Sequence, residues 1–373
     1  MRFGVGWALA MAVLLAGTSA GAHEQLWVNA KQERVRHQRS ELTKVAKKSM
    51  GAVVSITTVQ APTSEQVASG TAPSSEPQKG LGAGFVIHPD GYILTSQHVI
   101  ENATDIRASL LLENGKTEEY PAKVIGEDRQ SDFALLKIDV PRKLPVLKLG
   151  SAKAVDVADW VVVIGNPFGL GHSVTVGVVS YKGRQDVTPS GRSGFFDYLQ
   201  TDASINPGSS GGPIIDLHGD VVAIANAVNV AGQGIGFGIP IDMAKVVIPD
   251  LKEHGTIHRG WLGVAVEDGG DGVLVSEVTD GGPAARAGLL VGDVIQGVNR
   301  SKVERALALR WRVATSGAGH WVRLRILRGG EALSKRVRLE AIPSPDPESE
   351  PMEGAAPTPA PPHPARPAGV ADP

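Results

Sequence analysis

Three separated segments of the chain carry residue types that together could transfer an acyl group. His98 lies in Leu94-Thr95-Ser96-Gln97-His98-Val99, and Asp132 opens Asp132-Phe133-Ala134-Leu135-Leu136. Ser210 stands in Asn206-Pro207-Gly208-Ser209-Ser210-Gly211-Gly212-Pro213. A serine hydroxyl is a weak nucleophile until an imidazole takes its proton and a carboxylate holds that imidazole in place. Glycines on both sides of the serine give the backbone the freedom to bring two N–H groups onto one point, where a developing oxyanion would sit. Singly, each segment also fits a structural histidine, a turn aspartate or a plain Gly/Ser loop. The order His98, Asp132, Ser210, at separations of 34 and 78 residues, gives the set its meaning.

These residues need strands to hold them. From Leu81 to Pro240 the chain reads as short β-branched runs bounded by Gly, Pro or Asp, among them Trp160–Ile164, Ser173–Val179 and Asp220–Val228. His88-Pro89-Asp90 reads as a turn between two of them. No regular alternation of strand and amphipathic helix occurs, so the residues predict an antiparallel barrel or sandwich. Asp242–His254 predicts one helix closing this unit. A second unit over residues 256–342 predicts strands at Trp261–Val266, Gly272–Val278, Asp293–Val298, Trp321–Leu327 and Ser334–Leu339, with a helix over Val303–Thr315.

The flanks read differently. Phe3 to Ala22 carries no charge and ends in Ala20-Gly21-Ala22, the small-x-small pattern of a signal-peptide cleavage site before His23. Twenty uncharged residues are also just long enough for an uncleaved membrane anchor; under both readings the rest of the chain is exported. Residues 23–50 carry seven Lys/Arg against three Glu and predict a solvated basic helix, with membrane association through this segment as the second reading. Residues 60–80 form a Pro/Ser/Gly/Gln-rich insertion. Residues 343–373 hold 11 prolines and predict a disordered tail that contributes no core. The division is thus 1–22, 23–50, 51–255, 256–342 and 343–373.

Composition excludes several classes. With no cysteine, disulfide frameworks, Cys-ligated zinc and thiol nucleophiles are absent. A net charge of −2 gives no reason to expect nucleic-acid binding. No metal or cofactor motif is present. Gly208-Ser209-Ser210-Gly211-Gly212 fits the G-x-S-x-G elbow of α/β-hydrolases, but that elbow needs a helix after the serine and partners later in the chain, whereas here a strand follows and both partners come earlier.

The sequence resembles the HtrA (DegP/DegQ-like) family of serine proteases over roughly residues 40–342. The resemblance rests on the three segments above, on Gly165-Asn166-Pro167-Phe168-Gly169-Leu170, Thr175-Val176-Gly177-Val178-Val179-Ser180 and Gly234-Ile235-Gly236-Phe237-Gly238-Ile239-Pro240, and on a PDZ-like module. That module resembles its relatives in Arg259-Gly260-Trp261-Leu262-Gly263-Val264, Gly282-Pro283-Ala284-Ala285-Arg286-Ala287-Gly288-Leu289 and Gly292-Asp293-Val294-Ile295. The resemblance implies a mainly β protein: a chymotrypsin-like double β-barrel protease domain followed by one PDZ domain.

It further implies His98 as general base, Asp132 as its orienter and Ser210 as nucleophile, with the backbone N–H groups of Gly208 and Ser210 as oxyanion hole. Ile205, Ile235 and Val228 would line a small apolar substrate pocket, and Leu262, Gly263 and Val264 would form a loop binding peptide C-termini. Ser209 and Ser96 stand where the family usually has Asn, and the adjacent Ser209 is the alternative nucleophile. The implied activity is ATP-independent endoproteolysis of unfolded or misfolded proteins in the bacterial periplasm, with inner-membrane anchoring as second choice. It serves protein quality control and the stress response, in a homotrimer or larger homo-oligomer without cofactor. A non-proteolytic chaperone or scaffold on the same fold is the competing class.

Overall fold

The computed structural model describes residues 40–60, 78–112, 114–166, 172–185, 194–228 and 234–342. Residues 1–39, residues 61–77 of the expected insertion and the Pro-rich tail lie outside these residues; the insertion is shorter than expected, because Gln60 ends one strand and Gln78, Lys79 and Gly80 begin the next.

The first strands are β1 (Val53–Gln60), β2 (Gln78–His88), β3 (Tyr92–Ser96), β4 (Ala103–Leu111), β5 (Thr117–Asp128) and β6 (Phe133–Ile138). They close into an antiparallel barrel in the order β1-β2-β3-β6-β5-β4. β6 is buried at nearly every position, as its apolar run demands, while β5 alternates. The β2–β3 connection is the expected turn, with Gly91 at φ +93°. Val54, Ile56, Val86, Ile93, Leu136 and Ile138 pack together in this barrel's core.

The next strands are β7 (Lys148–Leu149), β8 (Trp160–Gly165), β9 (Ser173–Arg184), β10 (Tyr198–Thr201), β11 (Pro213–Ile215), β12 (Asp220–Val228) and β13 (Gly236–Pro240). The order is β11-β8-β9-β10-β13-β12, with β11 pairing β12 to close a second six-stranded ring and β7 added alongside β12. Between the two barrels lies a further core. Phe85, Leu94 and Phe133 from the first meet Ile164, Tyr198, Ile224 and Phe237 from the second. Burying each such side chain stabilises the fold by roughly 1.5–3 kcal/mol, so the seam that carries the site is rigid.

Helix α1 (Glu41–Met50) starts at Ser40, whose hydroxyl accepts the Thr43 N–H at 3.2 Å. The sequence predicts a solvated helix here. Its basic face is exposed, but Val45 and Ser49 are buried, Val45 in the core between the barrels. The short α2 (Gln97–Ile100) follows β3, and α3 (Ile241–His254) ends at Gly255 in the left-handed conformation, φ +75°.

The second unit contains β14 (Gly260–Trp261), β15 (Val264–Gly269), β16 (Gly272–Val278), α4 (Pro283–Arg286), β17 (Val294–Val298), β18 (Ser301–Lys302), α5 (Ala306–Thr315), β19 (Trp321–Arg328), β20 (Glu331–Arg338) and β21 (Glu340–Ala341). Its main sheet runs β15-β16-β17-β19-β20 around its own core. The strand expected over Trp261–Val266 is split. Gly263 takes φ +77°, its carbonyl accepts the Thr279 N–H at 2.9 Å, and the Leu262 carbonyl accepts the Ala284 N–H at 2.9 Å. The helix expected from Val303 begins at Ala306, because Val303 is held against Gln296 and Asp268 accepts the Ala306 N–H at 2.6 Å.

Candidate active site

His98 and Asp132 meet because β3 and β6 are neighbours and each ends at the same corner of the first barrel. Asp132 sits just before β6 with φ +58°, a conformation that aspartate tolerates better than most residues. From there it serves the start of α2 with both main chain and side chain. Its carbonyl accepts the Gln97 N–H at 3.1 Å and its Oδ1 accepts the His98 N–H at 2.9 Å. Its Oδ2 lies 2.7 Å from His98 Nδ1. The carboxylate side chain is 4% exposed and the imidazole 27%. One ring nitrogen is therefore held in the interior, while the ring itself reaches the surface.

Ser210 comes from the second barrel. Asn206, Pro207, Gly208 and Ser209 form a β-turn closed by the Ser209 N–H on the Asn206 carbonyl at 2.8 Å. Gly208 at φ +93°, after Pro207, makes this a type II turn. A Cβ on Gly208 would run into the Asn166 carbonyl oxygen. After Ser210 the chain is pinned by the Gly211 N–H on Ala225 O at 2.7 Å, and the Ser210 carbonyl accepts the Ala83 N–H at 2.8 Å. Among the described residues, no acceptor faces the N–H of Gly208 or of Ser210. Two free donors therefore flank the serine, as an oxyanion requires.

A cleft of about 330 Å³ is lined by His98, Ser210, Gly208, Ile205, Asn206 and Leu81, among others. It brings together the imidazole, the hydroxyl and the turn backbone. Ser209 faces elsewhere: it is 4% exposed, packs beside Gly165, and its hydroxyl is 3.4 Å from the Asn206 N–H. The Ser210 hydroxyl donates to the Asn226 carbonyl at 3.0 Å. Of the expected pocket residues, Ile205 lines the cleft. Ile235 packs half-buried against the core between the barrels and is not in the cleft wall. Val228 ends β12 opposite Gly236, and its side chain lies outside what is described. Leu262, Gly263 and Val264 lie in the second unit, where they link β14 to β15.

Sequence reasoning missed one residue of this site. Asn226 is 5% exposed, its Nδ2 donates to Asp132 Oδ2, and its Oδ1 accepts the Tyr198 hydroxyl at 3.2 Å. The signal was a lone amide inside the apolar run Val221–Val228. Burial, followed by the nearby Asp132 charge, pushes the Tyr198 phenol far above its usual range, so it stays a neutral donor. Among the described residues, no cluster of His, Asp and Glu has the make-up of a metal site.

Residues 82–224 match the family described as trypsin-like peptidase domain, and residues 260–339 match the PDZ domain family. A probable periplasmic serine endoprotease, DegP-like, of Pseudomonas putida (strain W619) is 40% identical over 283 residues, 72% of this chain and 57% of that protein. A protein of the same description from Chlamydia trachomatis is 40% identical over 281 residues, 71% of this chain and 55% of the relative. The chain thus spans little more than half the length of these curated relatives.

Among solved structures, the HtrA-type protease AlgW with decapeptide superposes with a TM-score of 0.63 at 31% identity, covering 82% of this chain and 99% of that one. A serine endoprotease from Yersinia pestis gives 0.59 at 30%, covering 82% and 100%. With a trypsin-like double barrel, a PDZ domain behind it and solved relatives matched along nearly their whole length, the chain belongs to the HtrA-type serine protease family.

Proposed function

We propose that this chain is an ATP-independent serine endopeptidase that cleaves unfolded or misfolded proteins in the bacterial periplasm, in protein quality control and the stress response. The observation that carries the reading is His98, held by Asp132 at 2.7 Å, in one cleft with Ser210 and with two N–H groups that have no partner among the described residues. The Ser210 hydroxyl turns from the Asn226 carbonyl toward the imidazole, and the imidazole takes its proton as oxygen attacks the scissile carbonyl. The Gly208 and Ser210 N–H groups bind the resulting oxyanion. His98 then hands the proton to the leaving amine, and water repeats the sequence on the acyl-enzyme. Ile205 supplies an apolar wall for the side chain next to the cut.

The PDZ unit would engage chain ends. β15 is an edge strand of its sheet, so an extended peptide can add beside it while the Leu262–Val264 loop clamps the terminal carboxylate. Periplasmic placement is supported by the names of the relatives. Among the described residues no helix is long and apolar enough to cross a membrane. The family resemblance supports a homotrimer or larger homo-oligomer.

The test is hydrolysis of unfolded casein by the full chain and by Ser210→Ala. Loss of a triad nucleophile lowers kcat on the order of 10⁶-fold, with peptide binding retained. Cleavage by the variant at near the parental rate would remove Ser210 from its role. Binding without cleavage by the parent would favour the chaperone class.

A further inference from the structure

We propose that Tyr198 and Asn226 form a positioning relay behind the triad, in which a buried phenol fixes the orientation of an amide and the amide holds Asp132 for His98; the proposal rests on the protease reading above. Asn226 is an extra residue in β12. Its neighbours Ala225 and Ala227 pair with the consecutive Gly238 and Phe237, so Asn226 is bulged out of the ladder. A bulge re-aims a side chain and a carbonyl that a regular strand would leave in its pairing. Both are used here: the carbonyl accepts the Ser210 hydroxyl at 3.0 Å, and the amide nitrogen donates to Asp132 Oδ2. One residue thus touches the nucleophile and the orienter.

An amide presents a donor and an acceptor that exchange places when it turns over. Turned one way, Asn226 gives Asp132 a donor; turned the other way, it sets oxygen against a carboxylate. The correct setting leaves Oδ1 facing the interior, where among the described residues Tyr198 alone meets its need, at 3.2 Å. Tyr198 itself has little freedom. It is fully buried, stacked on Phe196 at 5.1 Å and tilted against Phe237 at 5.5 Å. Its ionisation is suppressed, so the hydroxyl proton remains available to the amide.

Without the phenol, Oδ1 is a buried acceptor with no partner, an outcome costly enough to move the side chain. Asp132 Oδ2 then loses one of its two donors, and the carboxylate can drift from the geometry that orients His98. Neither Tyr198 nor Asn226 lines the cleft, so the loss of either side chain should fall on the chemical step and not on binding.

The experiment measures kcat and KM separately on an unfolded-protein substrate for the full chain, Tyr198→Phe, Asn226→Leu, Asn226→Thr and the double variant Tyr198→Phe/Asn226→Thr. Tyr198→Phe should lower kcat about tenfold with KM held, and Asn226→Leu about thirtyfold. Asn226→Thr should recover most of the loss seen in Asn226→Leu, because a hydroxyl can donate to Asp132 by rotation alone. For the same reason, Tyr198→Phe should change kcat by less than about twofold in the threonine background. Equal penalties in both backgrounds, or an unchanged kcat in Tyr198→Phe, would overturn the relay.

A second readout does not depend on turnover: the low-field proton resonance of His98 Nδ1–H. It should move in Tyr198→Phe and hold still when the phenol is removed from the threonine background. If the parent protein cleaved nothing, the protease reading would fall while this resonance still decided the relay. A resonance identical in parent and Tyr198→Phe would sink it.

Discussion

At the scale of the residue, Gly208 decides whether the two donors exist. In a type II turn the peptide between Pro207 and Gly208 faces the opposite way from a type I turn, and only a third residue at positive φ permits it. Gly208 holds φ +93°, and a Cβ would strike the Asn166 carbonyl oxygen. Gly208→Ala should therefore drive the turn toward type I, turning the Gly208 N–H away and the Pro207 carbonyl inward. Losing one oxyanion donor costs about 10²–10³ in kcat. Steady-state kinetics should show that loss with the fold intact by circular dichroism, and a variant with unaltered kcat would mean the donor lies elsewhere.

The same scale shows what the sequence makes legible. His98, Asp132 and Ser210 stand out because each sits at a break in apolar patterning, where a strand stops and a polar residue has no packing reason to be. Asn-Pro-Gly-Ser spells its own turn. Asn226 carries no such mark: it interrupts an apolar strand by one position, and only the β12–β13 register reveals a bulge. Tyr198 reads as an ordinary core aromatic. Both depend on pairings between distant strands that spacing along one chain does not encode.

At the scale of the element, the PDZ unit ties a buried carboxylate to a partly exposed arginine and leaves β15 at an edge of its sheet. Asp293 is 1% exposed, accepts the Leu290 N–H at 3.0 Å, and receives Arg328 Nε at 2.6 Å and Nη2 at 2.8 Å. Burial works to raise its pKa, but the Arg328 hydrogen bonds, the Leu290 N–H and the Arg328 charge together leave it below the usual carboxylate range. A depressed pKa means the pair stabilises the fold above the unfolded value of about 3.9 and that this support is lost as pH falls through the folded one. Asp293→Asn should destabilise the fold at pH 7 by taking the carboxylate charge away from the two Arg328 hydrogen bonds, a loss that water moderates because the Arg328 side chain is 32% exposed. It should also flatten the stability profile below about pH 4. Denaturant midpoints against pH, followed by fluorescence, would show both; parallel profiles for the two proteins would contradict the pairing.

The strand edge carries a second expectation. Arg310 on α5 donates to the Val266 carbonyl at 3.3 Å, occupying an acceptor that an added peptide strand would use. The side chain is exposed, so the bond is weak. Arg310→Ala should tighten binding of free-carboxylate peptides by about two- to fivefold, read by titration. Unchanged or weaker binding would mean the guanidinium helps hold the ligand. The sequence places this edge correctly but as one strand from Trp261. The resemblance already implies a loop at Leu262–Val264, but the residue pattern alone does not mark Gly263 as a left-handed break, because its carbonyl and that of Leu262 are held by Thr279 and Ala284, far along the chain.

At the scale of the whole molecule, the sequence reads as two modules cut near residue 255, with the triad before the cut and the carboxylate loop after it. That reading predicts that residues 256–373 can be removed without loss of short-peptide cleavage. The structure joins the modules more closely. Arg259 Nη2 donates to Asp128 Oδ2 at 2.7 Å with both side chains only 7% exposed, and its guanidinium lies 5.2 Å from the Phe195 ring. Phe195 in turn meets Trp311 of α5 at 5.5 Å. The same Asp128 oxygen accepts the Ser131 N–H at 3.0 Å and the Ser131 hydroxyl, and Ser131 immediately precedes Asp132.

The junction therefore ends one residue from the group that orients His98. Replacing Arg259 by methionine keeps the volume but leaves a buried carboxylate without its cation, which costs about 3–5 kcal/mol. Asp128→Asn alone should also destabilise, since it weakens the pair. In the Arg259→Met background its sign should reverse: the amide keeps an acceptor for Ser131 and removes the uncompensated charge, recovering about 1–3 kcal/mol. A thermal-unfolding cycle over the four proteins measures this directly. Additive losses would mean that Asp128 and Arg259 do not act as a pair. A reversal would mean that Asp128 keeps its buried charge only because Arg259 compensates it.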